Sequence, residues 1–262
     1  MTSTNDLRDG LTAGRTLLGA TATTLSPTMI DVYGKLGLDY VWLDHEHIGP
    51  ASADGRNCEW IARGAATAGI EPLVRVESGE GHVVRKVLDA GIRSIVIPRV
   101  ETADEVRTAV EASRFDYDGA PGERGFGTAL ASDWGDRPDD YIAREDATVL
   151  VGVMLENETA LANAEDILSV PGVGFGWVGP SDLSVSLGHP LDFDHPDVKA
   201  AIEAFLAAGR ETGVPIGTSA GYTGGVEPAI EDGYRLVTLG SEVGAARQVI
   251  GDALERGRAL IG

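Results

Sequence analysis

Short apolar or β-branched runs recur along the chain and alternate with amphipathic stretches. The runs are Thr16 to Ala20, Asp39 to Leu43, Pro72 to Val76, Ser94 to Ile97, Val149 to Leu155, Gly174 to Gly179, Val214 to Ser219 and Leu236 to Leu239. Each is short enough for a strand and is bounded by turn-forming residues, which predicts eight strands. Between them, Thr28 to Gly37, Cys58 to Gly69, Gly81 to Gly91, Ala160 to Val170 and Val198 to Gly213 carry apolar positions at helical spacing. Gly37, Gly69, Gly91 and Gly213 stand where a helix end needs a positive φ. Strand and helix alternating in this way over 262 residues predicts one (β/α)8 TIM barrel, a single domain over 1–262. An open doubly wound sheet is the weaker alternative, because no GxGxxG follows the first strand.

One interval breaks the rhythm, from Val100 to Ala147. It starts as a helix, Ala103 to Ser113, then runs through glycine-rich Asp118 to Gly127 and acidic Asp133 to Tyr141. A connection this long in a compact domain is usually functional or an oligomer contact, and this one is expected to help shape the pocket.

Composition narrows the partners. Lys plus Arg is 21 against 41 Asp plus Glu, a formal charge of −20. That field repels phosphate backbones and anionic bilayers, so neither nucleic acid nor membrane is an expected partner. Lysine is confined to Lys35, Lys86 and Lys199, and an acid-rich, lysine-poor chain suggests a halophilic cytosol where salt screens the self-repulsion. An ordinary acidic mesophilic enzyme is the alternative. Cys58 is the single cysteine, so no internal disulfide staples the fold. Neither a basic-then-apolar leader nor an apolar run of membrane-spanning length occurs, which predicts a soluble, cytoplasmic protein.

In a barrel of this kind, chemistry gathers at the C-terminal ends of the strands. The second strand runs into Asp44-His45-Glu46-His47, two imidazoles beside two carboxylates, the makings of a tuned base or a metal ligand. Arg75 lies in the third strand, where an apolar setting obliges it to find an anion, either a structural carboxylate or a substrate oxygen. Glu156 ends the fifth strand, and Asp182 follows the sixth. Either alone reads as a rim ion pair or a helix cap. Together they are suited to share one hard divalent cation, Mg²⁺, Mn²⁺ or Co²⁺, with positions left for a chelating substrate. Gly179-Pro180-Ser181 opens a helix and offers free N–H groups to an anion. All three lysines fall within predicted helices, which argues against an imine-forming mechanism.

These residues resemble the HpcH/HpaI aldolase family, metal-dependent pyruvate aldolases with a barrel of the phosphoenolpyruvate/pyruvate-binding type. The landmarks run from about Gly14 to Gly244: Asp39 to His47, Val74-Arg75-Val76, Leu88 to Gly91, Ile97-Pro98, Gly122 to Gly125, Leu155-Glu156 and Gly179 to Ser184. The resemblance implies a divalent cation held by Glu156 and Asp182, with the pyruvate carboxylate on the Ser181 and Asp182 amides. It further implies Arg75 on the enolate oxygen and His47 working with Asp44 in proton transfer. Asp89 would reach a neighbouring subunit's site, while His45 and Glu46, read from the chain itself, are expected beside that dyad. The implied assembly is a homohexamer, a trimer of dimers, with the last helix exchanged between subunits. Three departures from the family pattern stand out. Met154 replaces a common glutamine, His45 a common glycine, and Arg99 and Glu101 more usual neutral residues.

The expected activity is reversible cleavage of a 4-hydroxy-2-oxo acid, such as a 2-keto-3-deoxy sugar acid or a 4-hydroxy-2-oxo dioate, to pyruvate and an aldehyde. A citrate-lyase-like or malyl-thioester lyase is an alternative within the superfamily. A non-catalytic barrel that binds metal or keto acid is an alternative of another class.

Overall fold

The computed structural model describes residues 4–49, 54–116, 119, 121–136 and 138–261. Eight parallel strands close a barrel in sequence order: β1 Leu17–Thr21, β2 Tyr40–Asp44, β3 Glu71–Arg75, β4 Ser94–Ile97, β5 Leu150–Leu155, β6 Val173–Val178, β7 Ile216–Ser219 and β8 Leu236–Ser241. Every expected strand is present, with ends displaced by no more than two residues. The helices between them are α1 Asp6–Thr12, α2 Pro27–Leu36, α3 Gly55–Ala68, α4 Gly81–Asp89, α5 Ala103–Ser113, α6 Pro138–Thr148 and α7 Glu158–Ala162. They continue as α8 Ala164–Leu168, α9 Pro180–Ser186, α10 Pro196–Thr212, α11 Ala220–Thr223, α12 Val226–Glu231 and α13 Glu242–Ile261. Gly37, Gly69, Gly91 and Gly213 all adopt positive φ, as the helix-stop reading requires. The single helix expected over 160–170 is instead two, broken at Asn163.

The period of two along each strand sorts the chain into two cores. One parity points outward, so that Val41, Leu43, Val74, Ile95, Val151, Val153 and Val178 pack under the helices. The other fills the barrel with Leu17, Tyr40, Trp42, Leu73, Val96, Leu150, Met154, Phe175, Trp177 and Leu236. Leu7 and Leu11 of α1 join that inner cluster. Asn5 caps α1 through Arg8 N–H and ties it to the strand start, its Nδ2 donating to Ser94 Oγ and to the Thr148 carbonyl, each at 2.9 Å. That plug over the lower end of the barrel was not anticipated, because a seven-residue helix leaves little periodicity to read.

The long interval proves to be a connection from a helix to a strand. Such connections lie at the N-terminal end of a barrel, away from the mouth. Its bonds agree: Arg124 N–H reaches the Arg114 carbonyl, Ala131 N–H reaches the Asp89 carbonyl, and the Arg124 guanidinium bonds Asp89, Tyr141 and Glu145. The expectation that this segment shapes its own chain's pocket is therefore corrected, and none of its described residues lines the mouth cavity. Asp118, within the glycine-rich stretch, lies outside the described residues.

α13 departs from the pattern of the other helices. None of its residues is buried, and Val249, Ile250, Leu254, Leu260 and Ile261 stand exposed along it. Among the described residues no helix is long and apolar enough to cross a membrane.

Candidate active site

The inward parity that fills the barrel with apolar side chains turns polar one layer higher. Asp44 lies two residues beyond Trp42, Arg75 two beyond Leu73, and Glu156 two beyond Met154. All three line a cavity of about 390 Å³ at the strand C-terminal ends, with His47, Ser181, Asp182 and Tyr222 at its rim. Its floor is the Trp42 and Trp177 ring pair, with centroids 4.4 Å apart. A larger hollow of about 550 Å³ lies at the opposite end among Asp6, Asp39, Glu71 and Arg93, on the face that serves stability in such barrels.

β2 and β3 are in register so that Asp44 sits opposite Arg75. The guanidinium grips the carboxylate twice, Nε to Oδ1 at 2.9 Å and Nη2 to Oδ2 at 2.5 Å. Asp44 Oδ1 also accepts the Glu46 amide at 3.0 Å and the His47 amide at 3.3 Å. Burial acts to raise the Asp44 carboxyl, but the bonds from Arg75 and these two amides outweigh it and hold it below its ordinary range. Arg75 thus meets a structural carboxylate. It also reaches Glu46, with Nη1 3.0 Å from Oε2, and Met154, whose sulfur accepts from Nη1 at 3.6 Å. The thioether takes up a guanidinium hydrogen at the place where the family commonly carries an amide.

The expected Asp44/His47 dyad is connected differently from the sequence reading. Asp44 meets His47 through the main-chain amide, while the imidazole stands beside Glu46, Nε2 3.6 Å from Oε2. The reason is competition: Arg75 already occupies both Asp44 oxygens. Glu46, first placed at the edge of the site, is 12% exposed and in contact with both Arg75 and His47. His45 is the opposite case. It shares the outward parity of Val41 and Leu43, is 3% exposed, and burial lowers its pKa despite the charges of Asp44 and Glu77. It is absent from the cavity wall.

Glu156 is 2% exposed. Burial pushes its carboxyl from 4.5 to about 7; the Arg99 amide, donating to Oε1 at 2.7 Å, opposes this, and the nearby charges of Glu46 and Asp182 add to it. Arg99 holds that amide in place with a left-handed φ of 54°, a strained backbone of the kind found at functional sites. Gly179 completes the cradle. A Cβ there would lie 2.7 Å from Glu156 Oε2, so only glycine leaves the carboxylate its room. Glu156 and Asp182 line the same cavity, where the Asp182 charge adds to the cost of ionising Glu156, and their carboxylate oxygens are of the kind that suits a hard divalent cation. Glu156 and Asp182 would hold it.

Asp182 and Ser181 lie in the first turn of α9, whose leading N–H groups have no acceptor within the helix. Ser181 Oγ is 2.8 Å from the Tyr222 hydroxyl. Tyr222 sits on the four-residue α11, which carried no periodic signal. The Arg99 contribution comes from the backbone, so the residue's identity gave no hint of it. The Trp42 and Trp177 floor was legible, since each stands two residues before a rim position. Asp89 is the last residue of α4, at the end of the barrel remote from its own mouth, where Arg124 Nη2 bonds Oδ1 at 3.3 Å.

The HpcH/HpaI aldolase/citrate lyase family model matches residues 22–249 of this sequence. The chain belongs to the HpcH/HpaI aldolase/citrate lyase family. A hydroxypyruvate/pyruvate aldolase of Paraburkholderia phytofirmans is 34% identical over 244 residues, 92% of this chain and 93% of that protein. A 2-keto-3-deoxy-L-rhamnonate aldolase of Klebsiella pneumoniae is 32% identical over 237 residues, 90% of this chain and 86% of that one. The crystal structure of an HpcH/HpaI aldolase/citrate lyase family protein from Burkholderia cenocepacia superposes with a TM-score of 0.91 at 35% identity, covering 97% of this chain and all of the other. As an HpcH/HpaI member with aldolase relatives, this chain is a carbon–carbon lyase.

Proposed function

We propose that this lyase is a divalent-metal-dependent pyruvate aldolase, cleaving 4-hydroxy-2-oxo acids to pyruvate and an aldehyde and condensing them in reverse. The observation that carries the reading is the buried Glu156 carboxylate, set among Glu46, Asp182 and Arg75 at the mouth of the barrel. A cation on Glu156 and Asp182 would polarise the keto oxygen and share the charge of the enolate. The first-turn amides of Ser181 and Asp182 receive the substrate carboxylate. Arg75 uses Nε and one Nη2 hydrogen on Asp44 and its Nη1 on Glu46 and Met154, which fixes the planar fork and leaves the second Nη2 hydrogen for the enolate oxygen. His47 takes the 4-hydroxyl proton as the carbon–carbon bond breaks. Glu46 stands beside its ring, and 60% exposure of the ring gives the proton a path to solvent.

Among the described residues lining the cavity, Arg75 is the one permanent cation. That suits a small keto acid better than a phosphate-bearing thioester. The relatives named as aldolases of hydroxypyruvate, 2-keto-3-deoxy-L-rhamnonate and 5-keto-4-deoxy-D-glucarate supply the substrates to try first. The proposed assembly is a homo-oligomer in which the unburied α13 docks on a second copy and Asp89 faces a neighbouring mouth.

The test is pyruvate release, coupled to lactate dehydrogenase, from these acids with Mg²⁺, Mn²⁺ or Co²⁺. Turnover should vanish with EDTA, return with added metal, and be lost in Glu156→Gln. Full activity in EDTA would end the metal-dependent reading.

A further inference from the structure

The loop joining α9 to α10 gathers three side chains that the proposed reaction does not use. His189 and His195 stack with ring centroids 3.3 Å apart and planes 15° from parallel. Both rings meet one carboxylate: Asp197 Oδ2 is 3.2 Å from His189 Nε2 and 3.7 Å from His195 Nδ1. One ligand atom from each residue lies within 4.8 Å of the others. In a tetrahedral site with bonds of about 2.1 Å, neighbouring ligand atoms stand about 3.4 Å apart. The two observed nitrogen–oxygen separations bracket that edge.

Helix capping explains only part of this arrangement. His195 precedes α10, and its Nδ1 accepts the Asp197 amide at 3.2 Å. That leaves unexplained why His189 is brought to the same carboxylate from eight residues upstream. The loop is built to deliver it: His189 N–H bonds the Ser184 carbonyl at 2.8 Å, Leu191 N–H bonds Ser184 Oγ at 3.0 Å, and Leu191 takes a left-handed φ of 60°.

We propose that His189, His195 and Asp197 form a second metal site, separate from the carboxylates of the mouth. Two imidazoles and one carboxylate select a borderline transition-metal ion such as Zn²⁺, whereas an all-oxygen set suits Mg²⁺ or Mn²⁺. For both lone pairs to meet one ion the two rings must turn out of their stack, and His195 Nδ1 must give up the Asp197 amide. The ion's effect reaches the mouth through a short contact chain. Phe193, between the two histidines in sequence, packs edge-on against Tyr222 with centroids 5.1 Å apart, and Tyr222 bonds Ser181. The site clamps the loop that supports this wall of the cavity.

Zinc binding is scored without turnover, so this proposal stands or falls independently of the aldolase reading. Equilibrium dialysis against ZnCl₂ with saturating Mg²⁺ is expected to find one zinc per chain in the wild type and in Glu156→Gln. His189→Gln and Asp197→Asn should lose it, while their metal-free melting temperatures match the wild type and show that the fold is kept. In the wild type, where folding is not at issue, zinc should shift the ring resonances of two of the five histidines in ¹H–¹⁵N spectra. Undiminished zinc in both variants, no zinc in the Mg²⁺-saturated wild type, or unshifted histidine signals would each overturn the site.

Discussion

Arg75 and Asp44 occupy facing positions at the ends of adjacent strands and are joined by two parallel hydrogen bonds of 2.9 and 2.5 Å. The pair does more than neutralise two largely buried charges. Asp44 also holds the Glu46 and His47 amides, so one carboxylate sets both the arginine and the loop that carries the imidazole. Arg75→Lys keeps the charge but loses the fork. A fall in kcat of about 10²-fold with little change in metal affinity is expected, the size seen when one oxyanion donor is removed. Steady-state pyruvate release alongside Mn²⁺ titration checks both halves, and an unchanged kcat would remove Arg75 from the enolate site.

Gly179→Ala places a methyl 2.7 Å from Glu156 Oε2 and 2.9 Å from its Cβ. Gly179 has a φ of −105°, so alanine suffers no backbone strain there, and the crowding falls on the Glu156 side chain and, at 3.2 Å, on Met154 Cε. Metal affinity should drop about 10- to 100-fold, the range for lost ligand support. Melting in EDTA should stay near the wild type. Isothermal titration with Mn²⁺ and a thermal melt distinguish this outcome from general misfolding.

The raised Glu156 carboxyl fixes the direction of a pH effect. Its pKa rises from 4.5 to about 7, so between these values the folded chain binds more protons than the unfolded one. Stability of the metal-free protein therefore falls as pH climbs through this window. Glu71, pushed by burial to about 7, adds a slope of the same sign. Glu156→Gln should remove only its own share. Denaturant melts at pH 5 and pH 7.5 in EDTA should show a smaller difference for the variant than for the wild type, and an equal difference would contradict the assignment.

The apolar residues along α13 have no cover among the described residues of their own chain. Ile250→Asp with Leu254→Asp should convert an oligomer to smaller species, read by light scattering. Turnover should fall along with the mass if Asp89 serves a neighbouring site. A wild-type monomer would refute the exchanged-helix assembly.

Most of the barrel was written locally. Period-two runs, helix stops at Gly37, Gly69, Gly91 and Gly213, and strand-end positions for Glu156 and Arg75 depend on residues a few places apart, and neighbours in sequence report them directly. Asp182 was also legible, in the turn that follows β6. Other features required the barrel to close. Asp44 finds Arg75 across 31 residues, and Glu242 accepts the amide of Thr24 across 218. No local pattern records which partner wins. Arg75 takes both Asp44 oxygens, which left the imidazole of His47 to Glu46, and the parity of β2 turned His45 away from the cavity. The long connection after α5 fell at the far end of the barrel because a helix returning from one strand must end where the next begins. The residue types were thus set by sequence. Their pairing and direction came from closure, since competition among charges brought together from distant segments is settled only in three dimensions.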